Sequence, residues 1–119
     1  MEIITVFTPT YNRAYILPKL YKSLIEQTDH RFIWLIVDDG STDQTEKLVE
    51  QWHDESKIII EYYKQSNQGK SMAHNLAVSL TKTELFTCVD SDDFLSEDAI
   101  ESIFKLWELR KGSNLRGIT

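Results

Sequence analysis

Apolar residues recur along this chain at two periods, and the periods alternate. Ile3-Ile4-Thr5-Val6-Phe7 is a short β-branched run, and Thr8-Pro9-Thr10-Tyr11-Asn12-Arg13 breaks it. From about Ala14 to Gln27, the residues Leu17, Leu20, Tyr21, Leu24 and Ile25 fall at helical spacing. Pro18 suits a first turn, so the regular helix starts nearer Leu17. Phe32-Ile33-Trp34-Leu35-Ile36-Val37 is a second strand, apolar throughout, as expected when both faces are covered. Asp38-Asp39-Gly40 ends it. Ser41, with Gln44 three places on, makes a capping-box pattern that opens a helix to about Trp52. Leu48, Val49 and Trp52 are its buried stripe. Lys57 to Tyr63 reads as a third strand, and Gln65-Ser66-Asn67-Gln68-Gly69 as a polar loop. A helix over about Lys70 to Leu80 carries Met72, Ala73, Leu76, Ala77 and Leu80 on one side. Leu85-Phe86-Thr87-Cys88-Val89 reads as a fourth, buried strand. Ser96 caps a last helix, with Glu97 and Asp98 in its first turn and Ile100, Ile103, Phe104 and Trp107 on its apolar face. Gly112 is placed to end it.

The order βαβαβαβα predicts an α/β fold: a mostly parallel sheet of about four strands with helices on both faces. In such sheets ligands bind beyond the carboxyl ends of the strands, near the point where strand order reverses. The polar clusters at 8–13, 38–41 and 90–93 all fall at carboxyl ends. One edge of the sheet is thereby nominated as the site.

Composition narrows the classes. The 119 residues fit one domain over 1–119, long enough to bury a core. A net charge of -6 argues against a basic nucleic-acid face. The single cysteine, Cys88, excludes an internal disulfide and fits a reducing compartment; it reads most simply as a core residue, as do Trp34, Trp52 and Trp107. No apolar run approaches the length of a membrane span, and no basic leader precedes Ile3, so neither a transmembrane segment nor a signal peptide is expected.

The candidate chemistry is acidic. Asp90-Ser91-Asp92-Asp93 puts three carboxylates in four positions at a strand end, where they repel unless a cation, a proton or a polar ligand intervenes. Oxygen-rich sites of this kind suit Mg²⁺ or Mn²⁺. A solvated acidic turn before a helix would account for Asp93, less well for Asp90. In Asp38-Asp39-Gly40-Ser41, the turn itself needs Gly40, Ser41 and Asp43; a carboxylate at 38 or 39 is free to accept from a base imide or a ribose hydroxyl. Tyr11, beside a strand end, could stack on a nucleobase or simply pack. Lys70 opens a helix, where it could face a phosphate or simply be solvated. His74 reads as a surface or packing residue, and His30 and His53 lack metal-ligand spacing. No Walker loop, no G-x-G-x-x-G and no Ser-His-Asp set is present.

Four segments in register carry a resemblance: Thr8-Pro9-Thr10-Tyr11-Asn12-Arg13, Val37-Asp38-Asp39-Gly40-Ser41-Thr42-Asp43, Asn67-Gln68-Gly69-Lys70 through Ala73-His74-Asn75, and Asp90-Ser91-Asp92-Asp93. Together they resemble the nucleotide-sugar-binding part of the family-2 glycosyltransferases of the GT-A fold, Rossmann-like in its nucleotide-binding half. The resemblance implies a nucleotide-diphosphate-sugar donor, most often a uridine one, and transfer with inversion to an acceptor hydroxyl on a carbohydrate or a lipid-linked molecule. It implies that Tyr11 packs on the base, that Pro9 lines its pocket, that Asp39 hydrogen-bonds the base, and that Asn67 and Lys70 sit near the nucleotide. Asp90, with Ser91 beside it, would reach the ribose, and Asp92 would bind Mn²⁺ or Mg²⁺; Asp93 would share the metal or orient the sugar. It also implies a cytoplasmic protein, at most peripheral at the inner face of the membrane.

Two departures accompany the match. The family often has Arg or Leu where His74 stands. Its catalytic base, an Asp or Glu, lies well beyond the D-x-D segment, and Glu97, Asp98, Glu101 and Glu108 all belong to the last helix. Leu115-Arg116-Gly117-Ile118-Thr119 reads as the start of a further strand. The expectation is therefore a piece of a longer enzyme, inactive alone, with no catalytic residue in this chain and the base beyond Thr119. The rival readings are a non-catalytic nucleotide-binding module and a receiver-like signalling domain. The second would need its acidic pair after the first strand, where Thr-Pro-Thr-Tyr-Asn stands.

Overall fold

A computed structural model describes residues 4–113, with side chains to 110. Strands β1 (Ile4–Thr10), β2 (Phe32–Asp38), β3 (Ile59–Lys64) and β4 (Leu85–Cys88) alternate with helices α1 (Leu17–Ile25), α2 (Thr45–Glu55), α3 (Lys70–Leu80) and α4 (Ala99–Ser113). The sheet order is β3-β2-β1-β4, and each neighbouring pair is parallel. The chain thus moves outward from β1 to β3, then returns through α3 to β4 on the other side of β1. That reversal lies between β1 and β4. It is the crevice at which an open α/β sheet binds ligands.

Strand alternation sorts the core into two layers. On one face Ile4, Val6, Phe32, Trp34, Ile36 and Ile60 meet Leu17, Leu20, Tyr21 and Leu24 of α1, Val49 and Trp52 of α2, and Ile100 and Phe104 of α4. Trp34 is at its centre: it is fully buried, its ring lies 6.1 Å from Tyr21 and 5.8 Å from Trp52, and its Nε1 donates to Thr8 Oγ1 at 2.9 Å. On the other face Phe7, Leu35 and Val37 meet only α3, through Ala73 and Ala77. Small residues there let the helix backbone approach the sheet closely. Met72, expected on that apolar side, is 46% exposed instead, because the helix touches the sheet along a narrow stripe.

Several sequence expectations are corrected. β1 runs through Pro9 to Thr10 rather than breaking at Thr8. Val89 donates to the Phe7 carbonyl, and residues two apart on a strand point the same way, so the Pro9 nitrogen faces the β4 side beyond Cys88, the last residue paired there. No ladder bond is lost. β4 is an edge strand of partly buried residues, and Cys88 is exposed rather than core. Ser41 is not a helix cap: α2 begins at Thr45, where Asp43 Oδ1 accepts from the Thr45 amide and hydroxyl. α4 is capped from a distance. The buried Gln27 side chain accepts from Ile100 N through Oε1 and donates through Nε2 to the Ser96 carbonyl. Gly112 lies within α4 rather than after it. The strand expected at Leu115 to Thr119 lies outside the described residues. Among the described residues, no helix is long and apolar enough to cross a membrane.

Candidate nucleotide and metal site

Three loops leave the carboxyl ends of the strands and are tied to one another by side chains. Asn12 has φ +53, a conformation asparagine tolerates better than most residues. From it, Oδ1 accepts from the amides of Thr42 at 2.7 Å and Asp43 at 3.2 Å, while its own amide donates to Ser41 Oγ at 2.8 Å. Asp43 Oδ2 returns the link by accepting from Ala14 N. The loop carrying Tyr11 and Arg13 is therefore clamped to the loop after β2.

Asp38, the first of the acidic pair, is fully buried and structural. Its carboxylate accepts from the Ser41 amide at 2.8 Å and from the Tyr62 hydroxyl. The turn thus needs Asp38, contrary to the sequence reading. Burial, then the bond to Asp38, push the Tyr62 hydroxyl well above its ordinary pKa.

Asp39 turns toward the crevice and holds the 65–69 loop. It accepts from Gln65 Nε2 at 2.8 Å, Gln68 N at 2.7 Å and Gly69 N at 3.0 Å. Asn67 Nδ2 donates to the Asp39 carbonyl at 3.2 Å. Gly40 makes this approach feasible: at φ +86, a Cβ there would meet Asn67 N at 3.0 Å and Gln65 O at 3.3 Å. Burial raises the Asp39 pKa, but the three donors outweigh it and hold the carboxyl below the usual range. The folded value is thus below the ~3.9 of an unfolded aspartate. The stabilisation is complete above about pH 4 and is lost as pH falls through the lower folded value. In an acid titration followed by NMR, the amides of Gln68 and Gly69 should shift together with a midpoint below ~3.9. A midpoint at or above that value would mean that Asp39 does not anchor the loop.

An open pocket of about 260 Å³ sits where strand order reverses, lined by Pro9, Thr10, Tyr11, Arg13, Asp39, Lys70, Ala73, Asp90, Ser91 and Asp92. Seven of the nine residues given a role from sequence line it; Asn67 donates to the Asp39 carbonyl in the loop beside it, and Asp93 stands in the carboxylate cluster next to Asp92. Thr10, Arg13 and Ala73 were missed. All three lie within the segments that carry the resemblance, but Arg13 has no distinguishing signal, and Thr10 and Ala73 have the character of ordinary strand and helix positions. Tyr11 is 45% exposed and lines the pocket. His74 is an exposed packing residue, its ring edge-on to Phe7 and Phe86 at 5.8 and 6.0 Å.

The acidic cluster closes the pocket's other wall. Carboxylate oxygens of Asp90, Asp92 and Asp93 lie within 4.8 Å of one another. The Asp93 amide donates to the Asp90 carbonyl at 3.0 Å, a tight turn that brings the three together. The donor set is all oxygen, partly open to solvent, and able to hold a hard divalent cation. Lys70, the first residue of α3, reaches across the crevice to Asp90 with Nζ to Oδ1 at 3.1 Å.

Comparison with known proteins agrees with this geometry. The sequence model for glycosyl transferase family 2 matches residues 5–114. Glycosyltransferase GlyG of Streptococcus pneumoniae is 30% identical over 104 residues, 87% of this chain and 35% of GlyG. Chondroitin synthase of Escherichia coli is 33% identical over 115 residues, 97% of this chain and 16% of the synthase. S. aureus TarS 1-349 in complex with UDP superposes with a TM-score of 0.85 at 28% identity, covering 93% of this chain and 33% of that 1-349 chain. The mannosyltransferase PcManGT from Pyrobaculum calidifontis, in complex with GDP-Man and Mn²⁺, gives 0.79 at 25% identity, covering 86% of this chain and 31% of that one. The chain spans about a third or less of the length of these proteins. With the order reversal at β1 and β4 and the match along almost its whole length, the chain belongs to the family-2 glycosyl transferases and has their GT-A fold.

Proposed function

We propose that residues 1–119 form the donor-binding unit of a metal-dependent glycosyltransferase that takes a uridine-diphosphate sugar. The observation that carries this is convergence: an exposed tyrosine, an anchored carboxylate and two members of a three-carboxylate cluster line one pocket at the switch point. TarS, similar to this chain, is described with UDP, which favours uridine.

In this reading Tyr11 stacks on the base, a contact worth ~1–3 kcal/mol. Pro9 lines the base pocket. Asp39 accepts from the base imide; its Oδ2 receives one strong bond from Gly69 N and has lone-pair capacity left. Asn67 stiffens the loop behind it. Asp90 and Ser91 meet the ribose. Asp92 would hold Mn²⁺ or Mg²⁺, with Asp93 beside it. The bound cation would offset charge on the departing diphosphate. An acceptor hydroxyl would attack the anomeric carbon from the opposite side, so the configuration inverts as the nucleoside diphosphate leaves. The residues that take the acceptor's proton are proposed to lie outside these 119, in the length of the relatives that the chain does not span.

Isothermal titration of UDP with and without Mn²⁺ tests the reading. Saturable binding that strengthens with Mn²⁺ is expected. Equal affinity with Mn²⁺ and with EDTA would overturn metal dependence, and equal affinity for UDP and GDP would overturn the uridine preference.

A further inference from the structure

The acidic cluster already has a cation of its own. Lys70 Nζ lies 3.1 Å from Asp90 Oδ1, although Lys70 belongs to α3 and Asp90 follows β4. The only glycine-to-helix junction on this side of the sheet among the described residues, Gly69-Lys70, is held by Asp39 through the Gly69 amide, so the lysine is delivered to the crevice by an anchored backbone. The other cation lining the pocket, Arg13, directs its Nη1 to the Tyr15 hydroxyl at 2.7 Å. The pair itself is weak: both side chains are well exposed, at 69% and 46%. A weak pair is easily exchanged.

We infer that Lys70 acts as an internal counter-ion that makes divalent-cation binding conditional on the nucleotide: it occupies Asp90 while the pocket is empty and transfers to the diphosphate when the donor enters. This rests on the donor-site reading above. With Lys70 on Asp90, the cluster presents less negative charge, and a metal arriving alone must compete with a tethered ammonium. A diphosphate brings its own negative charge to the crevice and offers the ammonium, already near the amino end of a helix, a better partner. Asp90 is released for its ligand contacts, and the remaining carboxylates meet the cation together with phosphate oxygens. The cation and the diphosphate carry opposite charge, so their joint arrival leaves the surplus negative charge of the cluster unchanged. Lys70 is a positioning and charge-matching residue here; no bond to it is made or broken.

The experiment measures Mn²⁺ alone, by titration calorimetry and by loss of the free-ion EPR signal, in the wild type, Lys70→Met and Lys70→Arg; UDP is then titrated in saturating Mn²⁺. The Lys70 side chain is exposed, so both variants should fold as the wild type does, and circular dichroism checks it. Lys70→Met should bind Mn²⁺ alone roughly three- to fivefold more tightly than wild type, the size expected for an exposed pair. It should bind UDP more weakly, and Lys70→Arg should stay near wild type in both. An unchanged Mn²⁺ affinity in Lys70→Met, with Mn²⁺-dependent UDP binding intact in wild type, overturns the counter-ion role and leaves the donor site standing. Weaker UDP binding with weaker Mn²⁺ binding in Lys70→Met also overturns it, because the lysine would then be supporting the cluster. Absence of UDP binding in the wild type overturns the donor-site reading itself.

Discussion

Asp92→Ala is expected to weaken UDP binding in Mn²⁺ by about two orders of magnitude, leaving the weaker binding expected in EDTA unchanged. The reasoning is one of charge and geometry. Asp92 supplies an oxygen to a group of three that lie within 4.8 Å of one another. Removing it leaves Asp93 and an Asp90 that pairs with Lys70 in the empty pocket and is assigned to the ribose in the filled one. Loss of even an outer partner of a bound metal typically costs 10–100-fold in affinity, so loss of a ligand should reach the upper end of that range. Asp92 is exposed, so the fold should be unaffected and the melting temperature should match the wild type. Titration calorimetry in Mn²⁺ and in EDTA gives the two numbers. An Asp92→Ala protein with wild-type Mn²⁺-dependent affinity would remove Asp92 from the metal site and leave the tyrosine and Asp39 contacts to be judged separately.

The largest effect on stability is expected at Trp34. It is fully buried, lies against the stacked pair of Tyr21 and Trp52, and donates to Thr8. Trp34→Ala removes the biggest fully buried side chain among the described residues and strands the Thr8 hydroxyl. Large-to-small changes of this kind cost about 3–5 kcal/mol. Against a total of roughly 5–15 kcal/mol for a domain, that is a large share. Urea denaturation followed by circular dichroism should show the midpoint falling steeply. Trp34→Phe should lose less, since it keeps an aromatic ring in the layer. A loss below about 1 kcal/mol for Trp34→Ala would show that the layer closes over the gap, at the low end of what buried sites permit.

Much of the molecule could be read from the order of its residues, because the signals concerned are local. The alternation of periods predicted all eight elements, and the three polar clusters at strand ends pointed to the edge where the pocket lies. What escaped depended on neighbours distant in sequence. Pro9 looked like a strand breaker, and whether its missing N–H matters depends on where β4 stops. Cys88 looked buried because its run is apolar, but strand order decides that β4 is an edge. Ser41 had the spacing of a cap, yet Asn12, 29 positions away, takes its hydroxyl. The cap of α4 comes from Gln27, 73 positions before Ile100. Asp38 and Asp39 are adjacent and chemically identical, and only the pleat sends one into the core and the other to the crevice. The ion pair between Lys70 and Asp90 is of the same type: each residue was notable alone, and the reversal of strand order joins them.

Ala73 occupies two places at once. It is fully buried in the contact between α3 and the sheet, and it lines the pocket. Pocket width and helix docking are therefore a single variable in this protein. A bulkier residue at 73 would narrow the cleft and also lift the amino end of α3, taking Lys70 away from Asp90. Donor selectivity cannot be tuned at that position independently of the charge arrangement around the carboxylates. Variation in specificity is better accommodated at Tyr11 and Arg13, on a loop whose own clamp to Thr42 and Asp43 is separate from the seating of the helix.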